Sequence, residues 1–245
     1  MKIRLDKLLV ARGLAQSRER AQALILAGKV LVNEQKIEKP GTSVAEDAKV
    51  RLLGQDLRYV SRGGLKLQAA LEHWQIDVAG RTVLDVGAST GGFTDCLLQH
   101  GAARVIAVDT GYGQLDYRLR LDSRVRLLEK TNARFLAPAD IQATVEVIVM
   151  DVSFISATLV LPSVLAAAKP FIGDVVVLVK PQFEAGREHV DKGGIVRDPQ
   201  AQQAAVERVR VCLAELGARS TDVIESPILG MEGNREFLLY ARFQP

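Results

Sequence analysis

The chain has 245 residues, 48% of them hydrophobic and 25% charged, which is the composition of a globular protein with one large domain or with one ordinary and one small domain. Its two cysteines lie outside any Cys-x-x-Cys or Cys/His cluster and its three histidines have no ligand partner at useful spacing, so neither a disulfide framework nor a metal site is expected. The charged N-terminus does not resemble a secretory signal, and the most apolar stretch, residues 159–179, is interrupted by prolines and charges, so we expect a cytoplasmic protein without a membrane span.

The charge of the chain is unevenly distributed. Residues 1–58 carry twelve Lys or Arg and seven Asp or Glu, whereas residues 59–245 carry twenty and twenty-two. A small basic module beside a near-neutral body suggests a polyanionic partner, although basic residues can also simply keep a small domain soluble.

Two short amphipathic helices are predicted at the start of the chain. The first begins near Leu5 and ends near Gly13, and the second is capped by Ser17 and ends at Gly28. Short strands are predicted at residues 29–33, 36–37 and 49–53, so that a small α+β domain covers residues 1–58. A linker is predicted at residues 54–58, and the second domain, residues 59–245, begins at Tyr59.

Three segments of this small domain carry a family pattern. Residues 4–9, 17–21 and 28–34 read RLDKLL, SRERA and GKVLVNE, and together they closely resemble the S4 RNA-binding module. The resemblance implies that RNA is the partner of this domain. It also implies that RNA is contacted by a group of basic side chains, namely Arg4, Lys7, Arg18, Arg20 and Lys29.

The sequence pattern of the second domain predicts a doubly wound α/β fold. A preliminary helix is predicted at residues 64–74, and long helices at 156–169 and 199–216. Strands are predicted at residues 82–86, 104–108, 125–129, 145–150, 174–180, 222–225 and 236–243. Seven strands with helices between most of them indicate a mostly parallel, Rossmann-like sheet. The last two strands are joined by a loop, which predicts an antiparallel hairpin at one end of the sheet.

A glycine-rich turn joins the first predicted strand of this sheet to a helix. Residues 83–94 read VLDVGASTGGFT, and such a turn at the carboxyl end of a first strand is where doubly wound sheets bind nucleotides. The next strand ends in Asp109, at about the distance where an acidic residue would bind ribose hydroxyls. A glycine turn without any ligand is the alternative.

The turn lacks the Gly-x-Gly-x-x-Gly spacing of dinucleotide sites and has Asp85 inside the preceding strand. This pattern resembles the first motif of the S-adenosylmethionine-dependent methyltransferases. The resemblance implies that S-adenosylmethionine is the cofactor. It also implies a set of cofactor-binding residues, namely Asp85, Gly87, Ala88, Ser89, Thr90, Gly91, Gly92, Phe93, Asp109 and Asp151.

Four polar residues are predicted to meet at one edge of the sheet. Lys66 lies on the preliminary helix, and Asp151 follows the fourth strand. Lys180 closes the fifth strand, and Glu236 opens the last one. Chemistry in open sheets gathers at the carboxyl ends of parallel strands, where an antiparallel last strand would begin. A lysine at a strand end can instead reach solvent, and a glutamate before an apolar strand can mark a sheet edge.

The Lys-Asp-Lys-Glu order resembles the catalytic tetrad of the FtsJ-like ribose 2′-O-methyltransferases, and residues 61–67, SRGGLKL, are similar to one of their marks. With the S4-like module in front and the loop at residues 192–198, the chain resembles the TlyA family of S4-containing ribosomal RNA methyltransferases, often labelled hemolysins. The resemblance implies 2′-O-methylation of a ribose, that of cytidine, in ribosomal RNA or ribosomal subunits. The modified nucleotide and the oligomeric state stay open.

Methylation of a ribose requires the hydroxyl proton to leave while the oxygen attacks. Lys180 is the group expected to act on the hydroxyl, either as proton acceptor or, while it stays charged, as stabiliser of the developing alkoxide. Lys66 and Asp151 would position Lys180, and Glu236 would orient the lysines. The alternatives are a membrane-active hemolysin, an RNA-binding factor with an inactive methyltransferase fold, and a base methyltransferase, which would normally show an Asn-Pro-Pro-Tyr strand end or a reactive cysteine.

Overall fold

The computed structural model describes residues 2–53, 58–230 and 233–244. It divides into two compact units, Met1–Leu57 and Arg58–Pro245. The predicted linker lies, apart from Arg58, outside the described residues. The assignment of separate functional domains to residues 1–58 and 59–245 stays a prediction.

The first unit combines two helices with short strands. In chain order it contains β1 (Lys2–Arg4), α1 (Leu5–Ala11), α2 (Arg18–Leu26), β2 (Val30–Val32), β3 (Gln35–Lys36), β4 (Ser43–Ala45) and β5 (Val50–Leu52). Strand β2 pairs antiparallel with both β3 and β5, and β1 pairs antiparallel with β4. Leu5, Leu9 and Ile25 have no exposed surface and form the centre of its core. The sequence does not predict β1 or β4, because each of these short strands has a single large apolar residue, Ile3 or Val44, and so shows no apolar pattern.

The second unit is built on one large sheet. Its helices are α3 (Gly63–His73), α4 (Gly92–Gln99), α5 (Tyr117–Leu121), α6 (Pro138–Ile141), α7 (Leu161–Ala167), α8 (Pro181–Glu184) and α9 (Pro199–Glu215). Its strands are β6 (Thr82–Val86), β7 (Arg104–Val108), β8 (Val125–Leu128), β9 (Val147–Met150), β10 (Gly173–Val179), β11 (Ser220–Glu225) and β12 (Phe237–Phe243).

Within the described residues, seven strands form this sheet in the order β11-β12-β10-β9-β6-β7-β8. The pairs from β10 to β8 are parallel, whereas β12 is antiparallel to both of its neighbours. The predicted doubly wound sheet and its antiparallel hairpin are therefore confirmed. The alternation of a strand divides its side chains between the two faces, so that Leu84 and Ile148 join one core while Val83 and Val147 join the other.

One predicted helix, residues 156–169, is wrong in its extent. The structure has a 3₁₀ turn at Ala157–Leu159, and the α-helix α7 starts only at Leu161. Proline has no backbone N–H and its ring clashes with the carbonyl four residues earlier, so Pro162 is tolerated in the first turn of a helix but not inside one. Among the helices of residues 2–53, 58–230 and 233–244, none is both long and apolar enough to cross a membrane.

Candidate active site

The registers of the sheet bring three chain segments to one edge. Val86 lies opposite Met150, and Met150 lies opposite Val177, so the segments that follow β6, β9 and β10 leave the same edge. In the antiparallel pair, Val179 lies opposite Phe237. This register places Lys180, which follows β10, across from Glu236, which precedes β12.

The turn between β6 and α4 requires glycine for two separate reasons. Gly87 and Gly91 have φ angles of +88° and +96°, which side-chain-bearing residues rarely adopt. A Cβ atom at Gly87 would also overlap the carbonyl oxygen of Asp151, and one at Gly92 would overlap the hydroxyl of Ser61. The turn therefore lies directly against the segments that carry the predicted catalytic residues.

Asp109 is bound to the backbone of the turn. Its Oδ2 accepts a hydrogen bond from the Ser89 amide at 2.7 Å, and its Oδ1 accepts one from the Gly111 amide at 2.6 Å. A carboxylate oxygen can accept more than one bond, so both oxygens can still receive a ligand hydroxyl.

Asp85 lies beneath the turn with no exposed surface. Its Oδ2 accepts a hydrogen bond from the Thr94 hydroxyl at 2.6 Å, which ties β6 to α4. Its Oδ1 has no hydrogen-bond partner among the described residues, and burial raises the pKa of this carboxyl to about 7. Asp85 therefore supports the turn from below.

The four predicted catalytic residues form two ion pairs. Lys66 donates to Glu236, and both side chains are almost fully buried. A Cβ atom at Gly230 would overlap the Glu236 carboxylate, so this glycine leaves room for the pair. The Nζ atom of Lys180 lies 2.6 Å from Asp151 Oδ1, although the approach is outside hydrogen-bond geometry. Lys180 also donates to the Ser153 hydroxyl at 2.7 Å.

Ser153 is a site residue that the sequence reasoning missed. It follows Asp151 by two residues and binds the Lys180 ammonium on a second side. The signal was available in the sequence, since a hydroxyl so close to a strand-end aspartate lies at the same edge of the sheet.

Two cavities open at this edge and share Gly87, Ser89, Asp151 and Ser153. The first, of about 500 Å³, contains Asp109 together with Thr131 and Asn132. The second, of about 300 Å³, contains the whole tetrad and the turn. Of the predicted cofactor-binding residues, the second cavity is lined by Gly87, Ala88, Ser89, Thr90, Gly92, Phe93 and Asp151. Asp85 and Gly91 are not among the described residues that line either cavity.

The polar groups that line the larger cavity fit an adenosine-bearing cofactor. Asp109 can accept from ribose hydroxyls, and the backbone of Gly87 lines the same cavity. Asp151 lines both cavities, and its buried Oδ1 lies 2.6 Å from the Lys180 ammonium, so this carboxylate is already paired with a cation where the two cavities meet.

The predicted RNA-binding residues all belong to the first unit. Arg4, Lys7, Arg18 and Lys29 are exposed, whereas Arg20 is half-buried. Ser17 caps α2 by accepting the Arg20 amide at 3.2 Å, as predicted.

Both units match known families. The FtsJ-like methyltransferase model matches residues 59–243, and the S4 domain model matches residues 3–50. The chain is 48% identical to the 16S/23S rRNA (cytidine-2′-O)-methyltransferase TlyA of Mycobacterium tuberculosis, over 98% of this chain and 90% of that protein. This chain belongs to the TlyA family of S4-containing, FtsJ-like methyltransferases.

Other relatives carry the hemolysin name. Hemolysin A of Brachyspira hyodysenteriae is 40% identical over 97% of this chain and 99% of its own length. A solved structure of a hemolysin-named protein of Streptococcus thermophilus has a TM-score of 0.74 and 41% identity, and covers 99% of this chain and 89% of that one. The predicted family and fold, and S-adenosylmethionine as the family's cofactor, are confirmed. The S4 domain indicates an RNA substrate.

Proposed function

We propose that this protein transfers a methyl group from S-adenosylmethionine to the 2′-hydroxyl of a ribose, that of cytidine, in ribosomal RNA or a ribosomal subunit. The observation that carries the proposal is the meeting of two Lys–carboxylate pairs with the glycine turn in one cavity of about 300 Å³. The relative TlyA is named for the same reaction. Because its substrate would be ribosomal RNA, the protein would act in the cytoplasm.

Lys180 is the residue that acts on the hydroxyl. A lysine ammonium has three N–H donors. One of them is donated to Ser153, and the ammonium lies 2.6 Å from Asp151 Oδ1 without a hydrogen bond to it, so a further N–H is left to donate to the ribose oxygen. In this role Lys180 stabilises the negative charge that develops on the attacking oxygen, and Asp151 receives the hydroxyl proton.

When bound, the cofactor supplies an electrophilic methyl group on a sulfonium. Methyl transfer would form a C–O bond to the ribose oxygen and break the C–S bond, with the bonding electrons left on sulfur. Asp109 and the turn at residues 87–92 would hold the cofactor. The Lys66–Glu236 pair is charge-balanced and buried, so its proposed part is to shape the wall of the cavity beside Lys180.

The RNA-binding role of the first unit is proposed for Arg4, Lys7, Arg18, Arg20 and Lys29. Basic side chains that bind phosphates release counterions, so the affinity of the full chain for RNA should fall steeply with salt.

Nucleoside mass spectrometry of ribosomal RNA tests the proposed function. RNA from cells that lack the protein should lose one or more 2′-O-methylcytidines that the parent strain contains. Purified protein with tritiated S-adenosylmethionine should restore them on the unmodified RNA. Loss of a base-methylated nucleoside instead would indicate a base methyltransferase, and an unchanged pattern with no transfer in vitro would indicate an inactive RNA-binding factor. Red-cell lysis by the purified protein would be required for the hemolysin alternative.

A further inference from the structure

We propose that Asp6 is a positioning residue for RNA binding, which holds Arg4 and Arg18 side by side as a preformed phosphate-binding pair. The inference rests on the proposed RNA-binding function of the first unit. It concerns a residue that would not itself touch the RNA.

Asp6 is the hub of a hydrogen-bond cluster in the first turn of α1. Its Oδ1 accepts from Arg4 Nε at 3.0 Å and from the Lys7 amide at 2.9 Å. Its Oδ2 accepts from Arg4 Nη2 at 2.8 Å, from Arg18 Nε at 3.0 Å and from Gln22 at 3.0 Å. The two guanidinium groups therefore meet at one oxygen atom, although they come from β1 and α2.

The charges of this cluster are arranged so that the carboxylate is hidden and the cations are accessible. The Asp6 side chain has no exposed surface, whereas those of Arg4 and Arg18 are 45% and 47% exposed. Hydrogen bonds from Arg4, with further bonds from Gln22 and Arg18, hold the pKa of Asp6 well below its usual range, so the carboxylate is ionised at neutral pH. A polyanion that approaches this surface meets two guanidiniums and no exposed carboxylate of Asp6.

A fixed pair of arginines binds a phosphate more tightly than two mobile ones. Each free arginine side chain loses rotamer freedom when it is ordered at an interface, and this loss weakens binding. Asp6 orders both side chains before RNA arrives. The bidentate bond to Arg4 also fixes the plane of that guanidinium, which lysine could not reproduce.

The substitution Asp6→Asn separates positioning from simple charge, because the two effects have opposite signs. Removal of a negative charge from a basic surface should strengthen binding to RNA if only net charge matters. Loss of the carboxylate that orders both arginines should weaken it, and we expect about a tenfold weaker affinity at moderate salt. The assay is filter binding or fluorescence anisotropy of the full chain with in-vitro-transcribed 16S and 23S ribosomal RNA, over a range of salt concentrations.

Two further variants make the test decisive. Glu34→Gln removes one negative charge from the same unit, at an exposed side chain that pairs with Arg51, and should leave affinity unchanged or slightly stronger. Arg4→Lys keeps the charge but cannot make the bidentate bond, so it should weaken binding several-fold with the same salt dependence. Thermal melting and cofactor binding check that each variant is folded.

A folded Asp6→Asn variant that binds RNA as tightly as the parent, or more tightly, would overturn the proposal. If that variant does not fold, Arg4→Lys decides alone, and unchanged affinity in Arg4→Lys would also overturn it. A parental chain that shows no salt-dependent RNA binding would instead contradict the proposed function of the unit, which keeps the two failures distinguishable.

Discussion

Replacement of Lys180 by alanine should abolish methyl transfer while it leaves the fold intact. The ammonium of Lys180 is 2.6 Å from Asp151 and 2.7 Å from the Ser153 hydroxyl, at the wall of the tetrad cavity. The Lys180 ammonium contacts residues at this edge of the sheet. Its replacement should therefore remove the group proposed to act on the reacting oxygen and leave the rest of the fold in place. Neither the Asp109 contacts nor the S4 domain is altered.

The size of the effect follows from the kind of interaction that is lost. Removal of one donor that stabilises a developing oxyanion typically lowers turnover about 100-fold to 1,000-fold, or about 2.7–4 kcal/mol of transition-state stabilisation. The substitution also has a cost in stability. Lys180 and Asp151 keep only 11% and 22% of their side chains exposed, so we expect a cost between the ~1 kcal/mol of an exposed pair and the ~3–5 kcal/mol of a fully buried one, and thermal melting of the variant measures it.

The assay is single-turnover transfer of tritiated methyl groups to unmodified ribosomal RNA, together with calorimetry of cofactor binding. Lys169→Ala, which removes an exposed lysine before β10, serves as the matched control and should be fully active. Lys180→Arg keeps the charge and should retain more activity than Lys180→Ala, because a charged donor is what the reaction needs.

Near-parental turnover in Lys180→Ala would refute this reasoning and move the catalytic role to Lys66. Equal inactivity of the arginine and alanine variants, with cofactor binding intact, would refute the charged-donor role and favour Lys180 as a proton acceptor.

Two other predictions concern the carboxylates around the glycine turn. Asp109→Ala should weaken S-adenosylmethionine binding about 10-fold to 100-fold, because hydrogen bonds to a charged group are lost. The control Asp122→Ala removes a carboxylate that pairs with Arg124 and should leave cofactor binding unchanged. Equal affinities of the two variants in calorimetry would contradict the placement of the cofactor. Asp85→Asn should stabilise the protein at pH 8 but not below pH 4, because burial raises the pKa of Asp85 to about 7 and the folded state therefore prefers the neutral form. The parent should lose up to about 4 kcal/mol relative to the variant as pH rises from about 4 to 7, and a difference in melting temperature that is constant with pH would contradict this account.

The sequence by itself determined the architecture of the second unit. Buried parallel strands such as β9 and β10 are continuous apolar runs, and glycines mark the turn after β6, so both are local signals. The order of elements then places the strand ends at one edge of the sheet, which is why Asp151 and Lys180 could be predicted as neighbours. Pro162 was visible too, but periodicity alone did not locate the start of α7 beside it.

Only the tertiary structure decided which side chains pair. Lys66 and Glu236 are 170 residues apart, and their bond depends on how α3 packs and on the register between β10 and β12, neither of which the apolar pattern specifies. For the same reason the sequence assigned Glu236 to both lysines, whereas in the structure it binds Lys66 and Lys180 is held by Asp151 and Ser153. Asp6 shows the same limit, because its role depends on Arg4 and Arg18 reaching one buried oxygen from separate elements. Composition and spacing report what each segment can form, but contacts between distant segments are set by packing in three dimensions.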